Sequence, residues 1–334
     1  MNRFAFVDCT TVDQALAELK DGAVLKAGGI DLLDLMKEGI VSPPRLVNIR
    51  NVGSLRGITV GEDGLHLKPL VTLAEISEHP EIRRSYSALA DAAGHAATPQ
   101  VRNMATIGGN IMQRPRCWYF RSSDFDCKKK GGSSQECHAH DGENQYHAVM
   151  NNSTCASVHP SSTAVPLLAM DGQVELASKR GKRNVNMSEF YVAPEKSLIN
   201  ETVLRPDEII TEIFVPKPER GTRSAYQKYG EKESFDWPLA DAGIVLVMDG
   251  EKCRKAVVAL GVAAPTPLRS HEAEAALAGA TINETTARAA AKVAMQSATP
   301  LSQNGYKVQL FQTAIYRTIL LAAGQMDRDP SAAG

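Results

Sequence analysis

The spacing of apolar positions divides the chain into segments of different kinds. It is helical at first: Thr11 with Gln14 makes a capping-box pattern, Ala15, Leu16 and Leu19 form a stripe, and Gly22 supplies a stop. Residues 23–27 then read as a short buried strand ending at Gly28-Gly29, residues 31–38 as a helix, and residues 45–49 as another strand. Such alternation predicts an α/β or α+β layer arrangement. Beyond Gly57, residues 65–70 are strand-like and Thr72 starts a helical turn. Residues 81–96 predict a longer helix with Ile82, Tyr86, Leu89, Ala90 and Ala93 on one side. Thr106-Ile107-Gly108-Gly109-Asn110 reads as a small-residue turn.

Residues 114–157 carry neither period. They are rich in Lys, Gly, Ser, Asn and His, and so long a loop inside a compact domain is expected only where it serves a function. Regular structure resumes at 165–170, with a strand pattern at 173–177 and a further element at 208–215. Residues 216–220 hold two prolines and no apolar pattern, which predicts a linker and a boundary near residue 220. Past it, residues 242–248 and 256–262 are apolar around Asp249-Gly250, a hairpin signature. Three alanine-rich helices, at about 271–279, 284–297 and 305–324, follow.

Charge changes this picture little. Lys and Arg (37) balance Asp and Glu (38), which leaves no footprint for nucleic acid or an anionic membrane. No apolar run approaches the roughly 20 residues of a membrane span. The opening residues turn polar too early for a signal peptide, so the expected compartment is the cytoplasm. The alternative is the periplasm, reached by co-export with a signal-bearing partner.

Cysteine placement changes it more. Cys9 and Cys253 lie in apolar-periodic segments and read as small core residues. Cys117, Cys127, Cys137 and Cys155 fall inside the irregular stretch. Their spacing has neither the paired knuckles of structural zinc nor the C-x2-C runs of ferredoxins. Yet thiolates are soft ligands, and a metal core would crosslink a loop that otherwise has little to hold it. An iron–sulfur cluster is one reading. Zinc with mixed ligands is the other, since His138, His140, His147 and His159 share the stretch; most of these histidines read as solvated.

The glycine pairs are the second candidate feature. Gly28-Gly29 follows a strand and precedes a helix, so its amides are placed to face a phosphate, helped by the helix dipole and by the missing Cβ. Gly108-Gly109 offers the same from a second loop. Neither matches G-x-G-x-x-G, and double glycines between strand and helix are common without a ligand.

Taken in order, these motifs resemble a known family. Leu25-Lys26-Ala27-Gly28-Gly29-Ile30-Asp31-Leu32-Leu33 resembles the first FAD pyrophosphate loop of the medium subunits of xanthine dehydrogenase and carbon monoxide dehydrogenase. Arg102-Asn103-Met104-Ala105-Thr106-Ile107-Gly108-Gly109-Asn110 is similar to their second flavin loop, and Lys228 sits where the family places a flavin-contacting lysine. The resemblance spans about residues 1–324. It implies an α+β fold, with a two-part FAD-binding domain over 1–220 (a small α/β subdomain plus a larger α+β one) and a C-terminal domain over 221–326 of antiparallel strands packed with helices. Cofactor contacts by resemblance are residues 25–33, Thr106, Gly109, Asn110, Ser162, Ile210 and Lys228. Two positions depart from the family: Ser162 stands where an Asp is usual, and Ile30 where a Thr or Ser is usual.

The cysteine loop narrows the match to members similar to bacterial aldehyde oxidoreductases, with 4-hydroxybenzoyl-CoA reductase as the neighbouring alternative. In both, the loop ligates a [4Fe–4S] cluster, which implies Cys117, Cys127, Cys137 and Cys155 as ligands here. The implied function is an electron-transferring FAD subunit of a heterotrimer, with a large molybdenum-cofactor subunit, a small subunit carrying two [2Fe–2S] clusters, and an external electron acceptor. No residue qualifies as a general base acting on an organic substrate. A reading of another class is a zinc-stabilised scaffold without enzymatic activity.

Overall fold

The computed structural model describes residues 1–134, 136–232 and 235–327. Three sheets organise them. The first is parallel, with Arg45–Asn48 between Ala5–Asp8 and Val24–Lys26. Its crossovers are the helices Val12–Glu18, capped by Thr11 onto the Gln14 amide, and Ile30–Lys37. The strand Ala5–Asp8 lies outside the sequence expectation. It is a largely exposed edge strand, so no alternation marks it.

The second sheet is antiparallel. Its order is Ile58–Val60, Gly64–Leu67, Ile209–Pro216, Gln173–Ser178, Gly181–Asn186. Helices Leu73–Glu78, Ser87–Gly94 and Ala164–Ala169 pack on it through Leu73, Ile76, Leu89, Val165 and Leu168. Residues 81–96 are not one helix: Tyr86 leaves helical geometry (φ −128°, ψ 44°) and splits them into Pro80–Ser85 and Ser87–Gly94. The break turns Ser87 towards strand Thr222–Tyr229, where its hydroxyl donates to the Ser224 carbonyl at 2.6 Å. Thr106–Asn110, expected to be a turn, is the start of a short helix, Ile107–Ile111, with Thr106 as its N-cap.

The third sheet places Ala240–Asp249 between Thr222–Tyr229 and Lys252–Leu260, with Leu268–Arg269 at its far edge. The Asp249-Gly250 hairpin forms as expected, with a bulge at Val247/Met248. Helices His271–Leu277, Glu284–Ala294 and Tyr306–Ala323 cover it, burying Leu277, Ala290, Phe311, Ile315 and Ile319 against Ile244, Leu246 and Val258. Cys9 and Cys253 are core residues of the first and third layers. Among the described residues of 114–157 the helical elements are the one-turn helix Trp118–Arg121 and a 3-10 turn at Lys128–Lys130. No helix among the described residues is long and apolar enough to cross a membrane.

Candidate functional site

A cavity of about 900 Å³ lies between the parallel layer, the two glycine loops and the third sheet. Leu25, Ala27, Gly28, Gly29, Ile30, Asp31 and Leu32 line it from the first loop, and Thr106, Gly109 and Asn110 from the second. Ser162, Ile210 and Lys228 complete the wall. Two of the residues expected there do not face it. The Lys26 ammonium turns to Asn48 Oδ1 at 3.3 Å, and Leu33 packs beside Gly29.

The loops converge because glycine lets them. A Cβ on Gly28 would lie 2.0 Å from the Met104 carbonyl oxygen of the second loop. Gly29 has φ +83°, a left-handed geometry that opens helix Ile30–Lys37 without any side-chain cap. As a result the amides of Gly28, Gly29, Ile30, Asp31 and Leu32 have no acceptor among the described residues. A left-handed residue leading into a helix N-terminus is an anion-binding nest, reinforced by the helix dipole.

The second loop differs from its expected role. Ile107 and Gly108 donate to the Val71 and Pro69 carbonyls, and Gly109 donates to Thr106 Oγ1 at 3.2 Å. These amides are spent inside the fold and are not offered to a phosphate. Asn110 keeps its amide group for the cavity, because its Oδ1 accepts from both Ser161 and Thr163 at 2.6 Å.

The Asp31 side chain has a use of its own, beside the free amide. Its carboxylate pairs with Arg116 at 2.8 Å and Arg121 at 2.7 Å, and accepts from the Arg114 amide at 2.9 Å. The first glycine loop is thereby tied to the start of the cysteine segment. Arg116 also stacks over Trp237 at 4.2 Å on the cavity rim, and Arg114 over Phe120 at 4.6 Å. These arginines were missed from sequence. Three arginines among four aromatic and cysteine positions in Arg114–Arg121 were the available signal, since guanidinium stacks on rings and pairs with carboxylates.

Lys228 donates to the His95 and Asp236 carbonyls at 2.7 and 3.0 Å, leaving one N–H for the cavity it lines. Burial moves its pKa below the ordinary lysine value. Ser162 is buried beside the Tyr226 hydroxyl, which donates to the buried Asp241 at 2.8 Å.

The cysteine segment is anchored rather than loose. Cys137 and Cys155 lie near each other and interact: Cys137, with help from Ser157 and Lys129, holds Cys155 below the ordinary thiol range, and the same interaction plus burial pushes Cys137 up. Burial pushes Cys117 up to about 12, and the nearby Cys155 and Cys127 add to it. Cys127 is half-buried. Two of the four histidines are not solvated: His147 and His159 are both 2% exposed. His147 Nε2 lies 3.2 Å from Cys117 Sγ, and burial pushes that imidazole down to about 4. Lys129 is buried, donates to the Leu198 carbonyl at 3.0 Å and pairs with Glu201 at 3.2 Å. From the other side Lys307, fully buried, donates to the carbonyls of His147 and Val262 at 2.9 and 3.1 Å. Asn304 and the Thr299 amide bond the same strip. Among the described residues no three His, Cys, Asp or Glu side chains converge on one point as a single-ion site, so the mixed-ligand zinc reading has no ligand set.

Residues 2–218 match the family model of the FAD binding domain in molybdopterin dehydrogenase, and residues 224–322 that of the CO dehydrogenase flavoprotein C-terminal domain. The chain is 33% identical to the aldehyde oxidoreductase FAD-binding subunit of Escherichia coli (strain K12) over 319 residues, 95% of this chain and 96% of that protein. It is 27% identical to the carbon monoxide dehydrogenase medium chain of Hydrogenophaga pseudoflava, over 97% of this chain and 94% of the other. A solved structure of carbon monoxide dehydrogenase from Hydrogenophaga pseudoflava, lacking the Mo-pyranopterin moiety, superimposes with a TM-score of 0.76 at 26% identity, covering 98% of this chain and 99% of that one.

Proposed function

Because the chain belongs to the family of FAD-binding medium subunits of molybdenum hydroxylases, we propose that it is the electron-transferring flavoprotein of a molybdenum-dependent aldehyde oxidoreductase. Its partners are a large molybdenum-cofactor subunit and a small subunit with two [2Fe–2S] clusters, and it delivers electrons to an external acceptor. One observation carries the cofactor reading: five consecutive free amides, from Gly28 to Leu32, open into a 900 Å³ cavity lined by most residues of both glycine loops.

The residues fit FAD. Amides of Gly28–Leu32 hold the pyrophosphate, while Thr106, Asn110, Ser162 and Ile210 shape the remaining wall. FAD supplies a two-electron store between one-electron carriers and an acceptor; the protein supplies placement, charge and exclusion of water. The remaining N–H of Lys228 would be available to negative charge on a reduced flavin bound in the cavity. Ser162 interacts with the Tyr226 hydroxyl, and Ile30 offers its amide where a Thr or Ser would add a hydroxyl.

Cys117, Cys127, Cys137 and Cys155 hold a [4Fe–4S] cluster in this reading. Support comes from the chemistry of the donor set: sulfur ligands brought near one another in a buried, anchored segment. The test is an absorbance spectrum of the purified chain with flavin, iron and sulfide quantified. About four irons and one flavin per chain are expected, and Cys127→Ser removes the iron while keeping the flavin. A colourless chain refutes both assignments, and a yellow chain without iron refutes the second.

A further inference from the structure

We propose that His147 sets the reduction potential of the iron–sulfur cluster by donating its Nε2–H to the Cys117 sulfur, and that Cys117 is the ligand turned towards the flavin cavity. The proposal rests on the cluster reading above.

The imidazole is held for this bond. Nε2 stands 3.2 Å from Cys117 Sγ, and Trp118 packs edge-on at 5.0 Å. The His147 amide donates to the Asn144 carbonyl, and the His147 carbonyl accepts from Asn304 and from Lys307. Backbone and ring are therefore both fixed. The other ring nitrogen, Nδ1, is buried and has no hydrogen-bond partner among the described residues. The Cys117 sulfur is the side-chain partner of the imidazole, and the Asn144 backbone also acts on the ring. A cysteine that ligates iron has no proton to give, so the single N–H of a neutral imidazole belongs on Nε2.

A hydrogen bond to a ligating sulfur draws electron density from it and stabilises the more negative, reduced cluster, so the potential rises. Among the described residues Cys117 is the cysteine of the four with an imidazole partner; Cys155 has the Ser157 hydroxyl, 3.3 Å from its Sγ, and Cys137 has the backbone of Ala139 and Ala156. Cys117 also differs in its outlook. It alone of the four lines a small cavity of about 180 Å³. That space shares Arg116, Pro160, Asp236, Trp237 and Pro238 with the flavin cavity. The sulfur that His147 polarises thus borders the space leading to the flavin.

The test is a potentiometric titration of the full chain, purified with its cofactors and followed by low-temperature electron paramagnetic resonance. His147→Leu should retain its iron and show a tenfold lower ratio of reduced to oxidised cluster at a given potential, about 59 mV for a one-electron couple. His147→Gln, which restores an N–H, should return towards the parent value. An unshifted His147→Leu with full iron overturns the proposal, as does a glutamine variant that behaves like the leucine one. Should the leucine variant shed iron, the parent protein labelled with 15N-histidine decides. A weak 15N coupling to the reduced cluster is expected; no coupling, or the strong coupling of a directly bound imidazole, overturns the assignment. A parent chain with no iron at all refutes the cluster reading itself, a result distinct from an unmoved potential.

Discussion

Gly28→Ala places one methyl group where the two glycine loops touch. That carbon would sit 2.0 Å from the Met104 carbonyl oxygen and 3.0 Å from its carbon, where ordinary contact begins at 3.4 Å. Both partners are backbone, so no rotamer change relieves the clash, and the loops must part by more than about 1 Å. Overpacking of this kind costs roughly 1–3 kcal/mol of stability. Binding suffers more. Charge-assisted hydrogen bonds are worth about 1.5–3 kcal/mol each, so misaligning two of the five free amides weakens FAD binding by about 3–6 kcal/mol, on the order of 10²- to 10⁴-fold in Kd. The assay is fluorescence titration of the deflavinated chain with FAD, beside a thermal melt without flavin. Gly29→Ala is the internal comparison: it meets only flexible side-chain ends of Leu33 and Lys26, at 3.1 and 3.2 Å, and pays about 1–2 kcal/mol for its φ of +83°. Gly28→Ala must therefore be the worse of the two for flavin. If it binds FAD with the parent Kd, the Gly28–Leu32 nest is not the pyrophosphate site.

Asp31→Asn leaves Arg116 and Arg121 half-paired and should cost about 2 kcal/mol, less than the ~3–5 of a fully buried pair because the aspartate retains some exposure; limited proteolysis should then cut within 114–134 before the rest of the chain. Lys228→Met should lower the flavin midpoint, by about 30 mV for each tenfold shift of a two-electron couple, while an unchanged spectroelectrochemical midpoint refutes its electrostatic role. Lys307 titrates near 7 in the fold against 10.5 for the free side chain, because burial disfavours its charge. Between those values the unfolded chain binds more protons, so stability rises with pH by up to ~1.4 kcal/mol per unit from this group. Lys307→Met should flatten that rise in urea midpoints compared between about pH 7 and 10, and an unaltered slope contradicts the assignment.

Local signals were read from sequence with fair accuracy. The Thr11 cap, the strand before Gly28, the Asp249-Gly250 hairpin and the three closing helices are each decided within a few neighbouring residues. Edge strand Ala5–Asp8 is too exposed to alternate, and the break at Tyr86 answers to a partner far along the chain, Ser224. Thr106–Asn110 begins a helix of five residues, too short to show a period. The site residues were legible only as motifs. Nothing local reveals that Gly28 must meet Met104, that the second loop spends its amides on Pro69 and Val71, or that the Asp31 carboxylate belongs to two arginines. Lys129 sits in a run of three lysines that reads as solvated, yet it is buried against Leu198 and Glu201.

The clamp made by residues 299–307 has a consequence for biosynthesis. Val149, His147 and Asn144 are held by Thr299, Gln303, Asn304 and Lys307, and about 150 residues separate Cys155 from Lys307. At ~5–20 residues per second, a ribosome needs on the order of ten to thirty seconds to cover that distance. Through that interval the cysteines are on a nascent chain that has not yet received its fastener. On the cluster reading, delivery of iron and sulfide waits for nearly finished translation, and a message cut short before codon 299 yields four thiols held only from one side, by the contacts of Arg116, Arg121 and Lys129.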